Sequence, residues 1–347
     1  MVPVHRFRSM LYGALANIRS AAGITITLTI IIAILGAIDK GSYIIVNTIV
    51  TGGMWAIMAM GLALLFGVMN VANFAHGEFF MVGALAAYFI MTLSGQYVAA
   101  HPGTWVAGAA PFLGIFGATI VGSLFGAVCE VLVFRQLRKR SREQWVMNVF
   151  ILTLGISVIL TNGHQLLFGT GYKGIVKYLD LPSISIFQTL ISSDRIFVFL
   201  LGMAAIIVFW LFMKFSKTGR AIRAVSQDET GALMVGIDLN RIQILTLAIS
   251  SALAAFSGAS LLFMFPAYPT MGMAPLYNSW FVVIVVGMGN VGAAVIGGFI
   301  VALFQILTTV YFGEGWGFVV PSALIILILV IKPSGIFGSS VRGVLEQ

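Results

Sequence analysis

The 347-residue sequence predicts an all-α fold: a polytopic transmembrane helix bundle of about ten membrane segments. Three observations carry that prediction. Sixty per cent of the residues are apolar, 9% are charged and the mean hydropathy is +1.05, whereas a soluble globule clothes its surface with roughly 25% charged residues. Apolar runs long enough to cross a ~30 Å hydrocarbon core, about 20 residues each, recur along the chain. The basic residues are gathered between those runs in a few places. A β-barrel would need period-2 alternation, and runs such as Leu324–Ile331 show none. The lone Cys129 excludes a disulfide framework and Cys/His metal clusters, and reads as small apolar packing.

Taken in order, nine spans are clear: 21–38, 43–69, 71–93, 105–134, 146–168, 196–215, 241–265, 291–311 and 316–332. Residues 21–38 follow a charged start, but Asp39-Lys40 interrupts any small-residue cleavage site, so the segment reads as an uncleaved first span rather than a signal peptide. A shorter run, 276–288, lies between Pro275 and the glycines at 287 and 289. It either makes a tenth, short crossing or re-enters as a hairpin. Short Gly/Pro-flanked crossings bring irregular backbone to a cavity.

Charge decides between those two readings. Arg6, Arg8 and Arg19 precede the first span; Arg135, Arg138, Lys139, Arg140 and Arg142 follow the fourth; Lys214, Lys217, Arg220, Arg223 and Arg241 sit between the sixth and seventh; Lys332 and Arg342 close the chain. These places hold 15 of the 19 basic residues. The positive-inside bias makes the N-terminus cytoplasmic. The C-terminus joins it only when the number of crossings is even, which favours the tenth crossing. The hairpin reading leaves nine spans and an external C-terminus. This placement also argues against nucleic acid as the reason for a net charge of +8.

Polar groups within apolar sequence are costly and ask for a reason. The densest set is Asn70-Val-Ala-Asn73-Phe-Ala-His76-Gly-Glu78, with no basic residue nearby. It reads either as a tight turn, or as an unwound segment lining a pathway in which Asn70, Asn73, His76 and Glu78 offer hydrogen bonds to a polar solute. Glu130, five residues before Arg135, is expected to form a local ion pair with it. Gly122 and Gly126 form a GxxxG pair suited to helix packing. His164 and Gln165 sit near a span end as ordinary interfacial residues. Residues 217–238 combine Arg220, Arg223, Asp228 and Glu229 with Ala221, Ile222, Ala224, Val225, Ala232, Leu233 and Met234. That pattern predicts a short amphipathic helix ending at Gly236, resting on the inner leaflet or on a partner. Phosphate-loop, H-E-x-x-H and G-x-S-x-G motifs are absent, so the chain carries no ATPase or hydrolase signature and calls for no cofactor or metal.

Six segments, in order, resemble the LivH-type permease subunits of branched-chain amino acid ABC importers. They are Gly67-Val-Met-Asn-Val-Ala-Asn73-Phe-Ala-His76-Gly-Glu78; Glu130-Val-Leu-Val-Phe134-Arg135-Gln-Leu-Arg138; Ile151 to Asn162; Thr218 to Ile237; Gly287-Met-Gly289-Asn-Val-Gly292-Ala293 with Gly297-Gly298; and Lys332 to Gly338. Val131, Phe134 and Gln136 depart from the family's usual Arg, Tyr and Pro. The resemblance covers about 43–338. It implies a permease domain at 41–340, preceded by an extension at 1–40 with an additional helix and followed by a tail at 341–347. It also implies a multi-pass protein of the bacterial inner membrane, working with a second permease of LivM type, two cytosolic ATP-binding subunits and an extracytoplasmic solute-binding protein. The segment 217–238 then becomes the ATPase-coupling element, with Arg220, Arg223, Asp228, Glu229, Leu233, Met234 and Gly236 at the contact. The expected cargo is a branched-chain or other neutral amino acid; urea or short amides are the alternative within the same family. From other classes, an ion-coupled carrier would show more intramembrane acids than Glu78 and Glu130, and an enzyme would need a nucleophile or metal constellation that is lacking.

Overall fold

The computed structural model describes residues 21–140, 145–179, 181–186 and 189–338. The predicted signals at Arg6, Arg8, Arg19, Arg142 and Arg342 and the tail at 341–347 lie outside them. The chain runs α1 (Ala21–Lys40), α2 (Tyr43–Met69), α3 (His76–Ala100) and α4 (Val106–Cys129). A π-helical turn (Glu130–Phe134) then leads into α5 (Arg135–Arg140) and α6 (Trp145–Phe168). A small antiparallel hairpin follows, β1 (Ile184–Ile186) with β2 (Thr189–Ile191). The remainder is α7 (Ser193–Phe215), α8 (Lys217–Gln227), α9 (Glu229–Met234), α10 (Leu239–Ser260), α11 (Met273–Val286), α12 (Val291–Phe312) and α13 (Val319–Ile331). Among the described residues, nine helical segments are long and apolar enough to cross a membrane, and α11 is a shorter apolar helix.

The core is built on α2, whose middle, Met54 to Leu65, is sealed from solvent. With no hydrophobic drive between apolar helices in lipid, close approach depends on small residues. Gly298 of α12 sits against the Ala56 backbone, where a methyl group would meet main chain at 2.5–2.6 Å. The Gly122/Gly126 pair seats α4 against Ser251 and Ala255 of α10, as the GxxxG spacing predicts. The outer surfaces of α1, α4 and α13 are aliphatic, with Leu28, Ile31, Ile120, Leu124, Ile326 and Val330 exposed.

Contacts sort the helix ends onto two faces. On one, Gly67 meets Gly289, the Trp145 indole N–H reaches the Met69 carbonyl at 3.5 Å, Arg138 lies over the Trp145 ring, and the Ile336 amide donates to Val285 at 2.8 Å. This face gathers Arg135–Arg140, Lys214–Arg241 and Lys332. On the other, Asp39 accepts from Tyr311 at 2.6 Å, Arg195 donates to Asn47, and Lys173 and Ala267 exchange backbone hydrogen bonds. The Tyr178 hydroxyl donates to the Ala259 carbonyl; burial, then the nearby Asp194 carboxylate, push its pKa upward and keep it a donor. Helix α11 runs singly from the interior to the basic face and no second arm turns back, so 273–286 completes a crossing and Lys332 returns to the face of Met69. The hairpin alternative is set aside. At 14 residues α11 spans about 21 Å, short of the hydrocarbon core, and 261–272 supplies the remaining depth.

Three local expectations are corrected. Glu130 pairs with Arg138 rather than Arg135. The five-residue π-turn takes more residues per revolution, which brings position 138 rather than 135 onto the face of Glu130. The coupling segment is two helices rather than one: Asp228 is extended (φ −154°, ψ 104°) and breaks α8 from α9. His164, expected at an interface, is buried edge-on against Phe168.

Candidate functional site

At the basic face α2 ends where Asn70 adopts the left-handed conformation (φ 51°, ψ 41°), its amide bonded to the Phe66 carbonyl at 3.0 Å. Asparagine tolerates that geometry better than other residues with a Cβ. Asn70 itself is exposed. The chain then turns back into the bundle and α3 begins at His76, level with Met58 of α2. That is about 16 Å from the end of α2, by helical rise.

A buried backbone that leaves its helix must find other partners, and here they come from three elements. The Asn73 Oδ1 accepts the Ala75 amide at 3.0 Å, so its carboxamide lies on the first turn of α3. The Phe74 amide donates to Thr153 of α6 at 3.2 Å. His76 Nε2 is 3.0 Å from the Met58 carbonyl and Nδ1 is 3.5 Å from the Ser250 hydroxyl of α10. With a carbonyl as partner Nε2 carries the proton, an assignment made from the hydrogen-bond pattern. Glu78 Oε1 accepts the Ser157 hydroxyl at 2.9 Å, and Thr161 lies one turn beyond. Asn73, His76 and Glu78 are at most 2% exposed.

Helix α11 starts at the same depth and runs the opposite way. Gly77, in the first turn of α3, and Gly272, the N-cap of α11, lie backbone to backbone; a methyl on either would collide with the other's carbonyl oxygen. The two N-termini, each the positive end of its helix dipole, therefore meet in the interior. Phe74 stacks on Trp280 of α11 (centroids 5.7 Å) and meets Phe150 of α6 edge-on (5.1 Å). Three buried polar atoms here have no protein partner among the described residues: Asn73 Nδ2, Glu78 Oε2 and Trp280 Nε1.

Of the predicted pathway residues, Asn73, His76 and Glu78 thus come together and Asn70 does not. Thr153, Ser157, Ser250 and Trp280 were missed. The hydroxyls of α6 left a trace, since Thr153, Ser157 and Thr161 recur every four residues on one helix face. Nothing local pointed to Trp280.

The predicted coupling residues lie together on the basic face. Ser216 caps α8 by accepting the Gly219 amide at 2.8 Å. Ile222, Val225 and Ala232, expected to be available to a partner, are instead buried against the protein's own bundle. Arg220, Arg223, Asp228 and Glu229 are exposed, as are Leu233 (52%), Met234 (83%) and Val235 (77%). Gly236 ends α9 at φ +83°, with its amide on Leu233 and that of Ile237 on Ala232. A groove of about 710 Å³ lies beside α8, between α2, α7 and α12, with Lys214 and Arg223 among its lining residues.

Residues 44–329 match the family described as the branched-chain amino acid transport system / permease component. The chain is 28% identical over 303 residues to the high-affinity branched-chain amino acid transport system permease protein LivH of Salmonella typhimurium, covering 84% of this chain and 94% of that protein. It is likewise 28% identical over 300 residues to the BraD permease of Pseudomonas aeruginosa, covering 85% and 94%. A probable LivM permease of Methanocaldococcus jannaschii is 24% identical over 324 residues, covering 82% and 90%. No solved structure matches the chain.

Proposed function

The chain belongs to the branched-chain amino acid transport system permease family, and we propose that it is one membrane subunit of an ATP-driven importer of branched-chain or other neutral amino acids. Residues 41–340 form the permease domain, 1–40 add a helix on its outside, and 341–347 are a tail. The basic face is cytoplasmic, and the positive-inside bias assigns both termini to that side of the membrane. ATP is hydrolysed by two cytosolic partner subunits. A second permease of LivM type shares the path, and an extracytoplasmic binding protein delivers the solute.

The observation that carries this reading is the polar junction where α3 and α11 both begin inside the bundle. Discontinuous helices of this kind serve transporters because unwound backbone and helix ends give a polar solute partners at membrane depth. Asn73 and Glu78 contribute to the path. His76, with both ring nitrogens engaged within the chain, positions the start of α3. At the basic face Leu233 and Met234 enter a groove of the ATPase, with Arg220, Arg223, Asp228 and Glu229 at the polar rim and Gly236 setting the angle.

Proteoliposomes holding the full complex test the proposal. Leucine uptake should require ATP and the binding protein, and Asn73→Ala should lower it without reducing assembly. Uptake driven by a proton or sodium gradient in the absence of ATP would replace this reading with an ion-coupled carrier. Normal transport by Asn73→Ala would reduce 70–78 to a turn.

A further inference from the structure

The groove beside α8 lies apart from the polar junction. Helices α7 and α12 both pack on α2 but scarcely touch one another, which leaves a lengthwise gap of about 710 Å³ floored by α2 from Met60 to Gly67. Phe209 of α7 and Val295 of α12 line its two walls. By helical rise the floor is about 10 Å long, so the gap reaches well into one leaflet of a ~30 Å hydrocarbon core. Ile207 and Trp210, each half exposed, also line it, so it opens sideways onto the lipid-facing surface. A space of this size is typical of ligand sites, and apolar walls at membrane depth favour hydrocarbon over water.

At the basic face the lining changes character. Lys214 stands in the last turn of α7, its ammonium 4.5 Å from the centre of the Trp210 ring and 5.2 Å from that of Phe215. Arg223 of α8 donates to the Lys214 carbonyl at 3.4 Å, which sets two cations at one mouth. Among the described residues neither pairs with a carboxylate, and no Asp or Glu lines the groove. Like charges gathered in this way attract an anion. The first turn of α12 lines the same mouth and adds its positive dipole end. Its Gly292 leaves the approach open, since a side chain there would meet only Asn290 Oδ1, at 3.9 Å.

We propose that this groove is a binding site for an anionic phospholipid of the leaflet at the basic face: an acyl chain lies on α2 between α7 and α12, and the phosphate is held by Lys214 and Arg223. A soluble anion needs the charged mouth alone and leaves the apolar walls unused; a lipid of no net charge leaves the two cations without a counter-charge. Basic pockets between transmembrane helices take anionic head groups in this manner. Lys214 suits the role because its stem rests on apolar surface while its charge reaches the interface. Through Arg223 the phosphate ties α8 to the end of α7 and the start of α12, so the lipid braces the coupling segment from the membrane side. The inference depends neither on the cargo nor on the direction of transport.

The test is native mass spectrometry of the assembled complex titrated with phosphatidylglycerol, phosphatidylcholine of the same acyl chains, and glycerol 3-phosphate. Phosphatidylglycerol should be retained on this chain in preference to phosphatidylcholine. Lys214 lies outside the ATPase contact proposed above, so Lys214→Gln is the cleaner probe. It should weaken the preference about fivefold, the scale of one basic residue at an anionic membrane surface. Adding Arg223→Gln should remove the preference. Lys139→Gln alters an exposed lysine of the same face outside the groove and should leave it intact. Glycerol 3-phosphate should displace no more lipid than potassium chloride of equal ionic strength. Equal retention of the two lipids would overturn the proposal and leave the groove to the second permease or to the solute. Displacement by glycerol 3-phosphate would overturn it in favour of a soluble-anion site. An unchanged preference in Lys214→Gln, or an equal loss in Lys139→Gln, would overturn it in favour of a diffuse basic surface.

Discussion

Residues 70–78 end inside the bundle with Asn73, His76 and Glu78 sealed from solvent, whereas 217–238 lie outside it with Leu233, Met234 and Val235 more than half exposed. Both interrupt apolar runs with polar residues, and both contain a short turn closed by a left-handed residue, Asn70 in one and Gly236 in the other. Charge separates them. The first carries amides, an imidazole and one carboxylate; the Phe74 backbone amide, His76 and Glu78 find partners on α2, α6 and α10. The second carries Lys217, Arg220 and Arg223, whose removal from water would cost far more than local hydrogen bonds return. Polarity without basic charge is therefore drawn into the protein, while fixed positive charge holds a segment at the surface.

The largest effect is expected at the interior segment. Gly272→Val would drive a branched side chain into the Gly77 carbonyl, and two main chains have no rotamer with which to yield. A loss of roughly 3 kcal/mol or more is expected, read as a collapse of the monodisperse yield in detergent and a lowered Tm. A native melting curve would show that the two helix starts are not in contact. His76→Ala follows, at roughly 2–3 kcal/mol, because it opens a cavity and removes a donor from Met58 and an acceptor from Ser250. Its Tm should fall clearly below that of Asn73→Ala, as befits a positioning group.

The outer segment should respond differently. Gly236→Val places a β-branched residue at φ +83°, which costs about 1–2 kcal/mol locally. Membrane insertion should be unchanged, while the amount of ATPase recovered with the permease drops several-fold. Leu233→Asp should shift stability by no more than about 0.5 kcal/mol, since the side chain is half exposed, yet reduce ATPase recovery similarly by placing an unpaired charge in the contact. Wild-type recovery with both variants would sink the docking role and leave 217–238 as a helix resting on lipid.

By itself the sequence determined what depends on composition and on near neighbours. The run lengths located α2 at 43–69 to the residue, the basic residues marked one face, the GxxxG pair marked a packing face of α4, and the Asn-His-Glu stretch, free of basic residues, marked the place where a helix breaks. Hydrophobicity, charge and turn preference act through solvent and through residues a few positions away, so they are legible before folding. Tertiary structure alone decided the partners. It replaced Arg135 by Arg138 at Glu130 through a π-turn, divided the coupling helix at Asp228, and turned Ile222 and Val225 inward. It also brought Trp280, Ser157 and Ser250 to the interior junction from elements 79 to about 200 residues away in sequence. Those pairings follow from the close approach of backbones at Gly77 and Gly272. Close approach is a property of two surfaces at once, and no single stretch of chain encodes it.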